Sequence, residues 1–164
     1  GTAADLAARL KPVLALIDKG AASAPAATAS TGASAAPAMD TAALAKIVGH
    51  AGEQHGAVYK ITIGRPDIDL REHGAVINAR MGLNTWAAFT GTDADAMVAG
   101  DVAMREGEVT RVVKALRANG LDVVAMHHHM IGTKPVVIFL HYYGTGSATA
   151  LATGVRAALD MLGK

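Results

Sequence analysis

Two different periods of apolar residues run along this chain, and the switches between them mark its elements. Leu6, Leu10, Leu14 and Ile17 recur at helical spacing and predict a helix over residues 3–18. Pro12 removes a backbone donor within it and should kink or split it. Residues 20–38 are almost all Gly, Ala, Ser, Thr and Pro, a composition too poor in buriable side chains to offset its ordering entropy, and read as a linker. Asp40 is then placed to cap a helix over 41–48.

From about Ala57 the period shortens to two. Tyr59, Ile61 and Ile63 fall on one side of a half-buried strand over 58–63, which Arg65-Pro66-Asp67 ends. Residues 68–71 predict a second short strand, and 86–90 and 96–104 two more, separated by the turn residues Gly91-Thr92-Asp93. Val109, Val112, Val113 and Leu116 then follow the i, i+3, i+4, i+7 rule of an amphipathic helix. Glu106 and Glu108 suit its positive N-terminal end, and Asn119-Gly120 stops it. Residues 121–130 and 136–143 predict an antiparallel hairpin, with Pro135 at the strand entrance, where a missing N–H is tolerated. Ser147 caps a final helix whose apolar stripe is Ala148, Leu151, Ala152, Val155, Leu159 and Leu162.

The expected fold is therefore α+β: an antiparallel sheet with helices on one face, built round a βαββα core of ferredoxin-like flavour. The expected organisation is an N-terminal helix and linker over 1–39 and one domain over 40–164.

Composition trims the functional classes. The chain is 51% hydrophobic, yet no run reaches the roughly 18–20 apolar residues of a membrane-spanning helix, so a soluble protein is expected. Fifteen basic residues against fourteen acidic ones, scattered and with only 4% aromatics, make no nucleic-acid-binding stripe. Zero cysteines exclude disulfides, thiolate metal sites and cysteine nucleophiles. No signal peptide is visible, and the opening Gly-Thr-Ala-Ala is what either a processed or an engineered chain would show.

The chemistry concentrates in the hairpin. Strand side chains alternate, so His127 and His129 should share a face and His128 take the other. Two imidazoles on one strand face, about 6–7 Å apart at Cα, can converge on one ion. His141 on the partner strand joins them if opposed residue numbers sum to an even value, as with Val137 opposite His129. An odd register sends it to the opposite face, and the turn chemistry leaves both open. Asp101 and Glu108 are the carboxylates expected to serve as a further ligand, an acid/base or an orienting acceptor.

Other features are weaker. Histidines on a sheet edge are ordinarily solvated, and His50, His55 and His73 lie in loop-like settings. Met126 and Met130 invite a copper reading through their thioethers, against the commoner role of methionine as core filler. Gly144-Thr145-Gly146-Ser147 resembles an anion loop but lacks a phosphate-loop lysine, so capping explains it better. Trp86 and Phe89 suit the core or a pocket wall, and Asp67 and Asp69 an exposed strand.

Several of these segments form a pattern. Trp86-Ala87-Ala88-Phe89, Gly100-Asp101 followed by Glu108-Val109, Ala125-Met126-His127-His128-His129-Met130 and Phe139-Leu140-His141-Tyr142 together resemble the LppY/LpqO family of bacterial secreted proteins and lipoproteins. That family favours Ala-Leu-His-Asn-His-Met where this chain has 125–130, so His127 and His129 match and His128 departs. The resemblance covers nearly two-thirds of the chain and implies a periplasmic, secreted or envelope-associated location. It implies no reaction.

Three functions follow as expectations. The first is an envelope metal-binding protein that sequesters or transfers zinc, or copper, through His127, His129 and His141. The second is a metal-assisted hydrolase or lyase with Glu108 or Asp101 as acid/base. The third is a module that binds a small molecule or protein, with its histidines as polar lining.

Overall fold

A computed structural model describes residues 1–21 and 39–163, and the predicted linker lies for the most part outside the described residues. The chain divides into two compact units, 1–34 and 35–164. In the first, helix α1 (Ala3–Ala21) runs through Pro12 without a break in its assignment, so the expected split is absent.

The second unit is α+β, as the sequence pattern predicts. Helix α2 (Thr41–Val48) starts at Asp40, whose side chain accepts from the Ala43 N–H at 3.0 Å. It ends at Gly49 in the left-handed region, φ 82°, where a side chain would be strained. Then follow β1 (Gly52–His55), β2 (Val58–Gly64), β3 (Leu70–Glu72), β4 (Ala75–Ile77), β5 (Asn84–Gly91), β6 (Ala96–Arg105), α3 (Val109–Ala118), β7 (Asp122–His127), β8 (Val137–Gly146) and α4 (Ala148–Leu159). Strands β1 and β4 are additions to the sequence reading. Each is short, and β1 is polar, so neither carries an apolar alternation.

Six strands pair antiparallel in the order β1-β2-β5-β6-β8-β7, and β3 and β4 form a separate two-stranded sheet. Strand β8 lies between β6 and β7, so β6-α3-β7 is the split βαβ unit of ferredoxin-like folds. One sheet face carries Tyr59, Ile61, Ala87, Phe89, Val98, Val102, Met104, Leu140 and Tyr142 into the main core. There they meet Leu44 and Val48 of α2, Val112 and Leu116 of α3, and Leu151 and Val155 of α4. Helices α2, α3 and α4 thus all pack on the same face of the sheet.

The other face is covered at one end. Ala103, Val137 and Phe139 pack there against Ile68, Leu70 and Leu83 in a second small core. Beyond that patch, cross-strand pairing aligns Thr62, Trp86, Asp101, His141 and Ala125 in one row over β2, β5, β6, β8 and β7. Directly opposed residues share a face, so this row lies on the side the helices leave uncovered.

Candidate functional site: an imidazole and carboxylate group on the uncovered sheet face

The register of the β7–β8 hairpin decides the geometry. Ala125 stands opposite His141 and His127 opposite Phe139, which is the even register. A shift between Val123 and Ala125 brings β7 into it, since Asp122 and Val123 upstream pair one step differently, with Tyr143 and Tyr142. His127 and His141 therefore come to the same face. Their Nε2 atoms lie 2.8 Å apart, with the ring centroids at 4.8 Å.

His129 arrives by another route. β7 ends at His127, and residues 128–130 leave the strand, so strict strand alternation does not place His129. Its ring lies flat on Phe139, centroids 3.5 Å apart at 10°, and stacks 5.0 Å from His127. Phe139 is buried in the second core, so that core supplies the floor on which His129 rests. His128 points its Nδ1 to the Val137 carbonyl at 3.2 Å.

Asp101 completes the group from behind. It is directly opposite His141 across β6 and β8 and only 5% exposed. His141 Nδ1 lies 4.0 Å from Asp101 Oδ1, within ion-pair reach but long for a hydrogen bond. That buried Oδ1 has no hydrogen-bond partner. Burial pushes the Asp101 carboxyl above the usual carboxylate range, against the pull of His141, His129 and His127. His129 remains exposed, yet the part of its ring shielded from water lowers it below the ordinary imidazole value; His127 adds to this and Asp101 opposes it. A lowered value keeps the His129 ring neutral, the form that donates a lone pair to a metal.

The middle of this row is set by a glycine. A Cβ on Gly100 would come within 2.2 Å of the Tyr142 ring and hydroxyl and 2.5 Å of the Trp86 carbonyl oxygen. Tyr142 lies against that bare backbone and its hydroxyl donates to the Trp86 carbonyl at 3.2 Å. Close packing here fixes β5, β6 and β8 where Trp86, Asp101 and His141 stand.

Glu108 belongs elsewhere. It is 2% exposed, and both oxygens face the Arg65 guanidinium, at 2.9 and 3.0 Å. It also accepts from the backbone N–H groups of Arg105 and Gly163, each at 2.7 Å. Burial works against ionisation here, but Arg65 and the two N–H groups outweigh it and hold the carboxyl below its usual range. A carboxylate with every contact committed is structural. Asp67 joins this cluster through Arg65 and Arg105 rather than lying on a strand.

The remaining candidates scatter. Met126 is exposed opposite Leu140, on the side away from His127, and Met130 packs on the second core. His55 and His73 pair with Glu53 and Glu72, far from full burial. Gly144-Thr145-Gly146 continues β8 rather than forming a loop, and Ser147 caps α4 by accepting from the Ala150 N–H at 3.3 Å. Among the described residues, no group of three or more His, Asp or Glu side chains is placed so that it could hold a metal ion without rearrangement. The contacts are pairwise: Asp101 to His141, His141 to His127, and His127 to His129.

Residues 42–161 match the family described as Domain of Unknown Function (DUF1259). The chain belongs to that family. No curated protein and no solved structure matches it. The DUF1259 match spans α2 to the end of α4, so the whole sheet and every member of the imidazole and carboxylate group lie inside it. Among the described residues, no helix of this DUF1259 chain is long and apolar enough to cross a membrane.

Proposed function

We propose that this domain is a metal-binding protein that holds a divalent ion, zinc first, between His127 and His141, with His129 as a third ligand. The observation that carries the reading is the 2.8 Å approach of the two Nε2 atoms. Two nitrogens on one tetrahedral zinc stand roughly 3.3 Å apart, given Zn–N distances of about 2.0–2.1 Å. An opening of about half an ångström therefore separates the present pair from a chelating one. Both rings belong to paired strands, so little ordering remains to be done.

Asp101 strengthens the case. A ligating imidazole commonly donates its other N–H to a carboxylate, which fixes its tautomer and raises its basicity. Here the carboxylate faces Nδ1 of His141 while Nε2 faces His127. Three imidazoles leave a tetrahedral ion one open position, so transfer of the ion, and reaction at it, both fit.

The test is metal analysis of protein purified without a polyhistidine tag. About one zinc per chain is expected, lost when His127 and His141 are both replaced by Ala. Equal zinc in that double variant ends the reading. The envelope location belongs to the same proposal and rests on the motif resemblance. Cell fractionation that finds the protein in the cytoplasm removes it.

A hydrolytic reading comes second, and Asp101 is the observation that favours it. A buried carboxyl raised above its ordinary value beside an imidazole is placed to exchange a proton with a water that a bound metal would hold. Zinc-dependent turnover of ester or phosphoester substrates that vanishes in Asp101→Asn would promote it. Full turnover in that variant would remove it.

A further inference from the structure

The uncovered face extends beyond the histidines, and a lysine leans across it. Lys60 on β2 stands directly opposite Glu53 on β1, the natural partner for a cross-strand ion pair. Glu53 instead pairs with His55 at 3.3 Å. The Lys60 ammonium turns the other way and sits over the Trp86 ring, 4.5 Å from its centroid. Trp86 is directly opposite Asp101, which is directly opposite His141. The ammonium is thus carried toward the imidazoles, resting on an aromatic face that holds it there.

We infer that Lys60 and Trp86 form a subsite for an organic oxyanion, a carboxylate or phosphate ester, whose other end reaches the ion held by His127 and His141. The inference rests on the metal reading and adds the ligand class to it. Two strand steps, from β5 to β8, span about 9.5 Å, which sets the length of the ligand. Its body lies over the row between, where the Asp101 side chain is buried below the surface and engaged with His141. Ala88 and Ala99 flank that row on the same face and keep it shallow. An anion at one end and a metal donor at the other match the Lys60 ammonium and the ion that the metal reading adds at the histidines.

Trp86 is the only tryptophan in the chain, so its fluorescence reports this subsite alone. The zinc-loaded full chain is titrated with terephthalate, with 1,4-phenylene bisphosphate and with neutral terephthalamide, with zinc content measured in parallel. Saturable quenching by one or both anions and none by the diamide is expected, and the tighter anion tells carboxylate from phosphate ester. Lys60→Ala should weaken anion binding roughly tenfold or more, the size of one lost charge-assisted hydrogen bond. Lys60→Arg should keep most of it, and both variants should keep their zinc. Equal binding by Lys60→Ala, equal binding of the diamide, or zinc-loaded protein that no anion quenches overturns the subsite and leaves the metal reading standing. A chain that takes up no zinc removes both.

Discussion

Asp101 and His141 face each other across the centre of the sheet, and the same imidazole meets His127 with its far nitrogen. The arrangement is costly without a positive partner, because a buried carboxylate oxygen lacks a hydrogen bond. Asp101→Asn should therefore stabilise the metal-free protein at neutral pH, on the order of 1 kcal/mol. The sign follows from its raised value: the native state holds this proton more tightly than the unfolded chain. The cost of ionised Asp101 sets in as pH rises from the unfolded value, 3.8, through the higher folded one, and is complete above both. Urea denaturation at pH 7 should show the gain, and at pH 3 it should vanish. The same variant should bind zinc roughly 10–100-fold more weakly, as loss of an orienting carboxylate does.

Glu108 predicts the opposite behaviour. Its folded value is lowered, so its contribution is fully present above the unfolded value of 4.5 and is lost as pH falls through the folded one. Glu108→Gln should destabilise the domain by about 3–5 kcal/mol, because the buried Arg65 loses one of its two carboxylate partners and keeps only Asp67. Its acid limb of stability should be shallower than that of the wild type. Zinc content of the folded fraction should not change, and a loss of zinc there would tie Glu108 to the imidazoles after all.

Gly100 links packing to the site. Gly100→Ala should cost about 1–3 kcal/mol or more, since the new methyl meets both the Tyr142 ring and the Trp86 carbonyl. Trimming Tyr142 should not rescue it, because the backbone oxygen of Trp86 remains at 2.5 Å. Thermal melts of the single and double variants check this. Full rescue in Gly100→Ala, Tyr142→Ala would show that the carbonyl contact is harmless.

The sheet was legible because its main strands are long and β2 and β5 alternate in burial, while β6 and β8 show as long apolar runs. The even register of the hairpin was not, for it depends on a shift between Val123 and Ala125 that no turn residue announces. His127 and His141 could be paired on paper only by assuming that register. The place of His129 was hidden more deeply, since it stacks on Phe139 from outside the strand. Glu108 misled for a different reason. Acidic residues at a helix start usually meet water and the helix dipole, and only the fold brings Arg65 to it from a strand end 43 positions away. Trp86 showed in sequence as a core or pocket-wall residue, but its contact with Lys60 did not, because that contact is a cross-strand diagonal.

The three histidines should not contribute equally to zinc binding, and their different settings give the order. His127 and His141 project from paired strands and already share a 2.8 Å contact, so losing either removes half of a formed pair. His129 lies beyond the strand end with its ring flat on Phe139, and it must turn on that surface to aim a nitrogen at the same point. Its lowered proton affinity helps, since the ring is neutral at neutral pH and no proton need leave before it binds. His127→Ala and His141→Ala should each abolish stoichiometric zinc, while His129→Ala should keep it at lower affinity. Zinc titrations of the three variants, followed with the ring protons of Phe139 by NMR, separate the cases. A shift of those protons on zinc addition, absent in His129→Ala, is the expected result. Zinc loss in His129→Ala as complete as in the other two would mean that the ring on Phe139 is a principal ligand rather than a late one.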